Sequence, residues 1–321
     1  MKKSINEIGK DVIDLQIKAL RKLRNSLNNS FDLAVRTLLK CRSKVIVCGV
    51  GKSGIIASKI SATLSSIGTP SFSISANDCS HGDLGRITNK DILILISNSG
   101  NTLELKNIIK YARSNKIFLI GIVSNKSSDL YKYSNIKLSI PEVEESGLGI
   151  VPTSSTTSQL AIGDALSISL MRKKKFGKLD FKKFHPSGNL GNKLKTAGDL
   201  MLIKNKIPLI NENQKMKSAL KVINSKQLGF LVVVNNKGLT TGVFTDGDLK
   251  RLMQRKKKID NIIIKSYMTK NPYKVEENSL ATDVLSLMNK KKITNMCIYK
   301  KDNKRKTIGV LHIHHLLDNL G

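Results

Sequence analysis

Between Lys44 and Ile60 the chain passes from the β-branched run Lys44-Val45-Ile46-Val47-Cys48, through Gly49-Val50-Gly51-Lys52-Ser53-Gly54, into Ile55-Ile56-Ala57-Ser58-Lys59-Ile60. The first run reads as a strand buried on both faces, the environment of a parallel sheet. The residues after Gly54 have the spacing of an amphipathic helix. Strand, glycine turn and helix start together make an anion site. Glycines let backbone N–H groups close on a ligand, and a helix N-terminus favours negative charge. The turn also fits G-x-G-x-x-G, and Asp78, after the strand Ser71–Ser75, is the candidate for the acidic residue a dinucleotide would need. A P-loop is excluded, because Ile46 stands where its first glycine is required. A tight strand–helix turn with no ligand is the third reading.

Further strands are expected at Asp91–Ile96, Lys116–Val123 and Ile136–Ile140, separated by helical patterns. Strands alternating with helices imply an α/β fold, a doubly wound parallel sheet covered on both faces. Two hydroxyl-rich clusters sit where helices are expected to begin. Ser97-Asn98-Ser99-Gly100-Asn101-Thr102 follows one strand, and Pro152-Thr153-Ser154-Ser155-Thr156-Thr157 precedes an apolar helix from Leu160 to Met171. One such cluster reads as helix capping. Two of them, together with the lysine loop, converge on the crevice at the carboxyl ends of parallel strands. Many hydroxyls and few charges suit a single phosphate on a sugar better than a long dinucleotide.

The formal charge of +31 raises the question of nucleic acid. The excess is mostly lysine spread along the whole chain, and six tyrosines, eight phenylalanines and no tryptophan leave little for base stacking. The runs Arg172–Lys175 and Arg255–Lys258 fall at expected helix ends, where cations offset the dipole. Neither nucleic acid nor membrane is expected as a partner, since no apolar run reaches the length of a span. Cys41, Cys48, Cys79 and Cys297 form no C-x-x-C pair, which fits reduced thiols and a cytoplasmic protein.

Residues 1 to about 40 read as one long helical pattern, with Ile5, Ile8, Val12, Leu15, Leu20, Leu23, Leu27, Phe31, Val35 and Leu38 on the apolar side. Lys173 to Ala197 reads as an exit loop and linker. The remainder repeats itself: Gly242-Val243 and Gly309-Val310 stand 67 residues apart, as do Met201 and Met268. Each copy has a helix (Lys217–Asn224; Ala281–Asn289), a strand (Gly229–Val234; Asn295–Tyr299), the Gly-Val pair and a closing helix. Two such units pack on each other, because neither buries its apolar face alone.

Gly51-Lys52-Ser53-Gly54, His81-Gly82-Asp83-Leu84-Gly85, Ser97-Asn98-Ser99-Gly100, Pro152–Thr157 and His185-Pro186-Ser187-Gly188-Asn189-Leu190-Gly191 occur in the order of a sugar isomerase (SIS) domain. The set resembles D-arabinose 5-phosphate isomerases, and the repeat resembles the tandem CBS modules that follow the SIS domain in that family. The resemblance implies a SIS domain over 1–195 and an α+β CBS pair over 198–260 and 263–321. It implies an aldose–ketose isomerase acting through an enediolate on D-ribulose 5-phosphate and D-arabinose 5-phosphate, feeding 3-deoxy-D-manno-octulosonate and lipopolysaccharide synthesis. It also implies a homotetramer whose His185 reaches a neighbouring subunit's pocket. A non-catalytic sugar-phosphate sensor on the same domain is the alternative. Such regulators usually carry a helix-turn-helix, for which the N-terminal region has no pattern.

By the same resemblance Lys52, Glu104, Glu144 and His185 are the catalytic candidates. Lys52 is placed to hold phosphate or the developing oxyanion. Glu104 falls in the first turn of a helix, where the dipole favours a carboxylate, so an orienting role is expected. Glu144 is favoured as the base, with Glu145 as rival, because a carboxylate covered on substrate binding gains basicity. His185 can assist ring opening or shuttle a proton. Gly51, Ser53, Gly54, His81, Ser97, Asn98, Ser99, Thr102, Thr153, Ser154, Ser155 and Thr156 are the expected substrate contacts. No cofactor is required, and His81, with His185, is the only candidate for a divalent metal. In the first module Gly242, Thr245 and Asp248 match the Gly-x-x-Thr-x-x-Asp pattern that holds an adenine nucleotide. In the second, His312 and His315 replace the Thr and Asp, so at most one such site is expected.

Overall fold

The computed structural model describes residues 3–185, 191, 193–256 and 258–320. They form two compact units, one ending at Phe184 and one beginning at His185.

The first unit opens with two helices where the sequence suggests one. Helix α1 (Ile5–Ser26) starts at a reciprocal cap between Ser4 and Glu7, and α2 (Asn29–Lys40) starts at Asn28, whose side chain accepts from the Ser30 N–H. Leu27 and Asn28 are extended, which breaks the run even though the apolar spacing continues across it. Strands β1 (Val45–Gly49), β2 (Ser71–Ser75), β3 (Ile92–Ser97), β4 (Phe118–Val123) and β5 (Ile136–Ser139) then form a parallel sheet in the order β2-β1-β3-β4-β5. Helices α3 (Lys52–Ser66), α4 (Ala76–Cys79), α5 (Leu103–Ser114), α6 (Asp129–Tyr133), α7 (Ser154–Lys173) and α8 (Lys178–Phe184) complete the unit. Helix α8 lies inside the stretch expected to be linker; Asp180 anchors its start by accepting from the Gly177 N–H.

Every residue of β1 and β3 is buried. Alternate side chains serve opposite faces, as the strand period of two requires. Val45, Val47, Ile94 and Ile96 pack with Leu38, Ile60, Leu64, Ile162 and Leu166 of α2, α3 and α7. Ile46, Cys48, Leu93 and Leu95 pack with Leu105, Ile108 and Ala112 of α5. At the amino ends of the strands, buried Asp91 accepts from Ser43 Oγ at 2.6 Å and from the Thr88 N–H at 2.7 Å, and pairs with Lys44 at 3.2 Å. Burial opposes its charge, but these bonds outweigh it and hold the Asp91 pKa at about 2. The order reverses between β1 and β3, so the loops after these two strands flank the switch point at the carboxyl edge.

The second unit contains α9 (Ala197–Leu200), β6 (Leu202–Ile203), β7 (Leu209–Asn211), α10 (Met216–Lys226), β8 (Phe230–Val234), β9 (Thr240–Thr245) and α11 (Asp246–Arg255). The second copy supplies β10 (Thr269–Lys270), β11 (Lys274–Glu276), α12 (Ala281–Lys291), β12 (Asn295–Lys300), β13 (Asn303–His312) and α13 (Ile313–Leu320). The sheets run β10-β9-β8-β7 and β11-β12-β13-β6, so each copy lends its leading strand to the other's sheet. A common core of Ile207, Phe230, Val232, Cys297 and Val310 lies between them.

Candidate active site

The three glycines of the first loop have different tasks. A Cβ at Gly49 would meet the Ser53 backbone at 2.7 Å, and one at Gly54 would meet the Gly49 carbonyl at 2.9 Å, so this pair lets the start of α3 sit against the end of β1. Gly51, with φ +57°, has open space around it and supplies the backbone turn that leads to Lys52, the first residue of α3. Lys52 is exposed at that helix start.

At the end of β3, Ser97 and Thr102 hold each other, hydroxyl to hydroxyl, at 3.0 Å, and Ser97 Oγ also accepts from the Gly100 N–H at 3.0 Å. These two expected contacts therefore shape the loop from within. Asn98 lies between them and faces the cleft. Ser99 is exposed and bonds weakly to the Asn101 N–H, while Glu104 is half-buried as the second residue of α5.

Helix α7 begins at Ser154, six residues before the expected start, so the hydroxyl cluster forms its opening turn. Its cap comes from Glu145, whose carboxylate accepts from the N–H groups of Thr153 (2.7 Å), Ser154 (2.8 Å) and Ser155 (3.2 Å). Burial alone would raise the Glu145 pKa; hydrogen bonds from Ser155 and Thr153 outweigh it and lower it. A carboxylate so engaged is a poor proton acceptor. Glu144, next to it, is exposed and has no such commitment to the α7 start.

Lys52, Ser53, Asn98, Ser155 and Thr156 line one cleft of about 400 Å³, with Val50, Glu145, Gly149, Ile150, Pro152 and Gln159. Gln159 was absent from the sequence-based set because the hydroxyl cluster drew the boundary at Thr157. The signal that finds it is helical: Ser155 and Gln159 are four residues apart on α7 and share a face. Ser154 is fully buried and Thr153 is bound to Glu145, so both serve the helix start. His81 is exposed in the turn after α4. His185 opens the second unit, and residues 186–190 of its motif lie outside the described residues. Asp78, on α4, is exposed and off the cleft. Among the described residues no group of three or more His, Cys, Asp or Glu is placed to hold a metal, and no helix is long and apolar enough to cross a membrane.

In the second unit a cleft of about 700 Å³ is lined by Thr245, Asp248, Arg251, Asn271, Lys292, His312 and His314, among others. Thr245 and Asp248 cap α11 reciprocally, and Arg251 pairs with the same carboxylate. Gly242 does not line this cleft. A Cβ there would meet the Thr269 carbonyl at 2.7 Å, so its task is to let β10 approach β9. The two histidines part company, because His312 faces this cleft while His315 lines a separate groove with Asp199 and Asn319. Burial, then His314 and His315, lower the His312 pKa.

The fold and these clefts define a SIS domain joined to a CBS pair, and the family profiles agree: SIS domain matches residues 38–169, and CBS domain matches 197–255 and 264–321. The chain belongs to the arabinose 5-phosphate isomerase family. It is 38% identical over 313 residues to arabinose 5-phosphate isomerase KdsD of Yersinia pestis, covering 97% of this chain and 94% of that one. The Francisella tularensis KdsD is 37% identical over 308 residues, 94% of this chain and 93% of that one. A solved Escherichia coli CFT073 protein in complex with arabinose 5-phosphate superposes with a TM-score of 0.55 at 36% identity, over 57% of this chain and 97% of that one.

Proposed function

We propose that the chain interconverts D-ribulose 5-phosphate and D-arabinose 5-phosphate. A base removes a proton from C1 of the open-chain ketose to give the cis-enediolate, and the proton returns at C2 while the O1 proton is passed to O2. The observation that carries this reading is the single cleft joining Lys52, Asn98 and the Ser155–Thr156 helix start in a chain of this family. Lys52 and the α3 N-terminus supply positive potential for phosphate or oxyanion. Glu144 is the proton-transfer base, Glu104 an orienting group and His185 the aid to ring opening. The product feeds 3-deoxy-D-manno-octulosonate and lipopolysaccharide synthesis in the cytoplasm, and no metal or redox group is needed for the proton transfers. Incubating the purified chain with ribulose 5-phosphate and identifying the sugar formed tests the assignment; absence of an aldose product would sink it.

The active form is a homotetramer. Ile5, Ile8, Ile13 and Ile17 of α1 are 90%, 52%, 58% and 41% exposed, apolar side chains that a second copy would cover. The CBS pair takes at most one adenine nucleotide, in the cleft holding Thr245, Asp248 and Arg251. Calorimetric titration of the full chain with AMP and ATP decides this, since two equivalent sites per chain would contradict it.

A further inference from the structure

Gln159 is 1% exposed, lines the sugar-phosphate cleft, and carries an amide nitrogen that makes no hydrogen bond among the described residues. Its amide oxygen is engaged: Ser53 Oγ donates to Oε1 at 3.1 Å. A serine hydroxyl has one proton, so this bond leaves Ser53 only acceptor lone pairs for anything in the cleft. With Oε1 taken by Ser53, both N–H groups of Nε2 are left without an acceptor among the described residues. A buried amide N–H without an acceptor costs stability, and folded proteins rarely leave one without a reason.

We propose that Gln159 is a substrate-binding residue, its Nε2 donating to a carbonyl or hydroxyl oxygen of the bound sugar, with Ser53 as the positioning residue that orients the amide. This rests on the sugar-phosphate reading above and reassigns Ser53, expected from the sequence to touch the ligand. The division of labour follows from charge. Lys52 and the α3 helix start attract the phosphate at long range, whereas a neutral amide contributes through directed bonds that reject a sugar lacking the matching oxygen. Gln159 and Ser155, one turn apart on α7, bring such groups to the same wall of the cleft.

The test uses the full chain and two variants, Gln159→Leu and Gln159→Glu. Both approximate the side-chain volume; the first removes all polarity and the second replaces the N–H pair with oxygen. Each is assayed with ribulose 5-phosphate and melted with arabinose 5-phosphate or inorganic phosphate. Loss of a buried donor to an uncharged oxygen lowers kcat/KM by about 10- to 100-fold. The rise in melting temperature given by arabinose 5-phosphate shrinks in both variants. With Gln159→Leu the rise given by inorganic phosphate stays, and the ligand-free melting temperature equals or exceeds that of the unaltered chain. Unchanged kcat/KM and an unchanged sugar-phosphate shift in Gln159→Leu overturn the assignment and leave the isomerase reading intact. Ligand-free destabilisation in both variants makes the amide structural and also overturns it. An unaltered chain that binds arabinose 5-phosphate without turnover defeats the isomerase reading alone, and the melting shifts then decide Gln159. If no melting shift with arabinose 5-phosphate occurs in the unaltered chain, both readings fall.

Discussion

Thr240 and Thr307, 67 residues apart, meet hydroxyl to hydroxyl at 2.7 Å, and Thr240 Oγ1 also accepts from the Thr307 N–H at 3.1 Å. They are the same position in the two CBS copies, so the contact lies where the repeat meets its own image. The glycines two residues on repeat the relation: a Cβ at Gly242 would approach Met268 Sδ at 2.8 Å, and one at Gly309 would approach Met201 Sδ at 2.3 Å. Replacing either threonine by valine should cost about 1 kcal/mol. Because the partners are shared, the double variant should cost less than the sum. Urea unfolding of the two single variants and the double variant checks this; strict additivity would mean the threonines do not couple.

Lys52→Ala and Glu144→Gln should leave the fold intact and lower kcat by about 10² to 10⁴, the usual loss for a positioned oxyanion partner or base. Glu104→Gln should lose less, as expected of an orienting group. Steady-state rates alongside circular dichroism separate chemistry from folding, and near-normal turnover in a folded Glu144→Gln chain would remove it as the base.

Glu145 behaves differently because its carboxylate caps α7. Glu145→Ala strands the N–H groups of Thr153, Ser154 and Ser155 and should destabilise the first unit by about 1 to 2 kcal/mol. Glu145→Gln retains an acceptor and should keep most of the activity. Thermal melts and rates measured together test this, and an inactive but fully stable Glu145→Gln chain would make Glu145 the base instead.

Asp91 gives a pH dependence with a definite sign. Its folded pKa, about 2, lies below the value of about 3.9 for an unfolded aspartate, so its stabilisation is complete above that value and is lost as pH falls through 2. At neutral pH Asp91→Asn should cost about 2 to 3 kcal/mol, and the gap from the unaltered chain should narrow between pH 4 and 2. A gap independent of pH would assign the effect to shape.

If active sites are shared between subunits, mixing inactive Lys52→Ala and His185→Ala chains should restore part of the activity. Light scattering should report a tetramer, and a fully active monomer would refute the shared site.

The five strands of the first unit, their parallel direction and the 67-residue repeat were legible in the sequence because all three leave a periodic pattern in it. Val45–Cys48 of β1 and Ile92–Ile96 of β3 are unbroken apolar runs, and Gly242 and Gly309 recur at a fixed distance. Helix boundaries were less legible where a side chain far along the chain intervenes. α7 starts at Ser154 because Glu145, nine residues earlier, reaches its N–H groups, and the apolar pattern alone carries no trace of that bond. The break at Leu27–Asn28 was hidden for a related reason: the helical spacing continues in phase while Asn28 caps a new helix.

The residue types of the site, a lysine among glycines and hydroxyls at helix starts, were fixed by the sequence, since glycine freedom, helix capping and charge are properties of short segments. Tertiary structure alone decided which of those hydroxyls face the cleft. Ser97 and Thr102 satisfy each other, Thr153 turns to Glu145, and Ser53 gives its proton to Gln159, 106 residues away. A hydroxyl's single proton goes to whatever acceptor the fold brings within reach, and that distance is set by how α3 packs on α7.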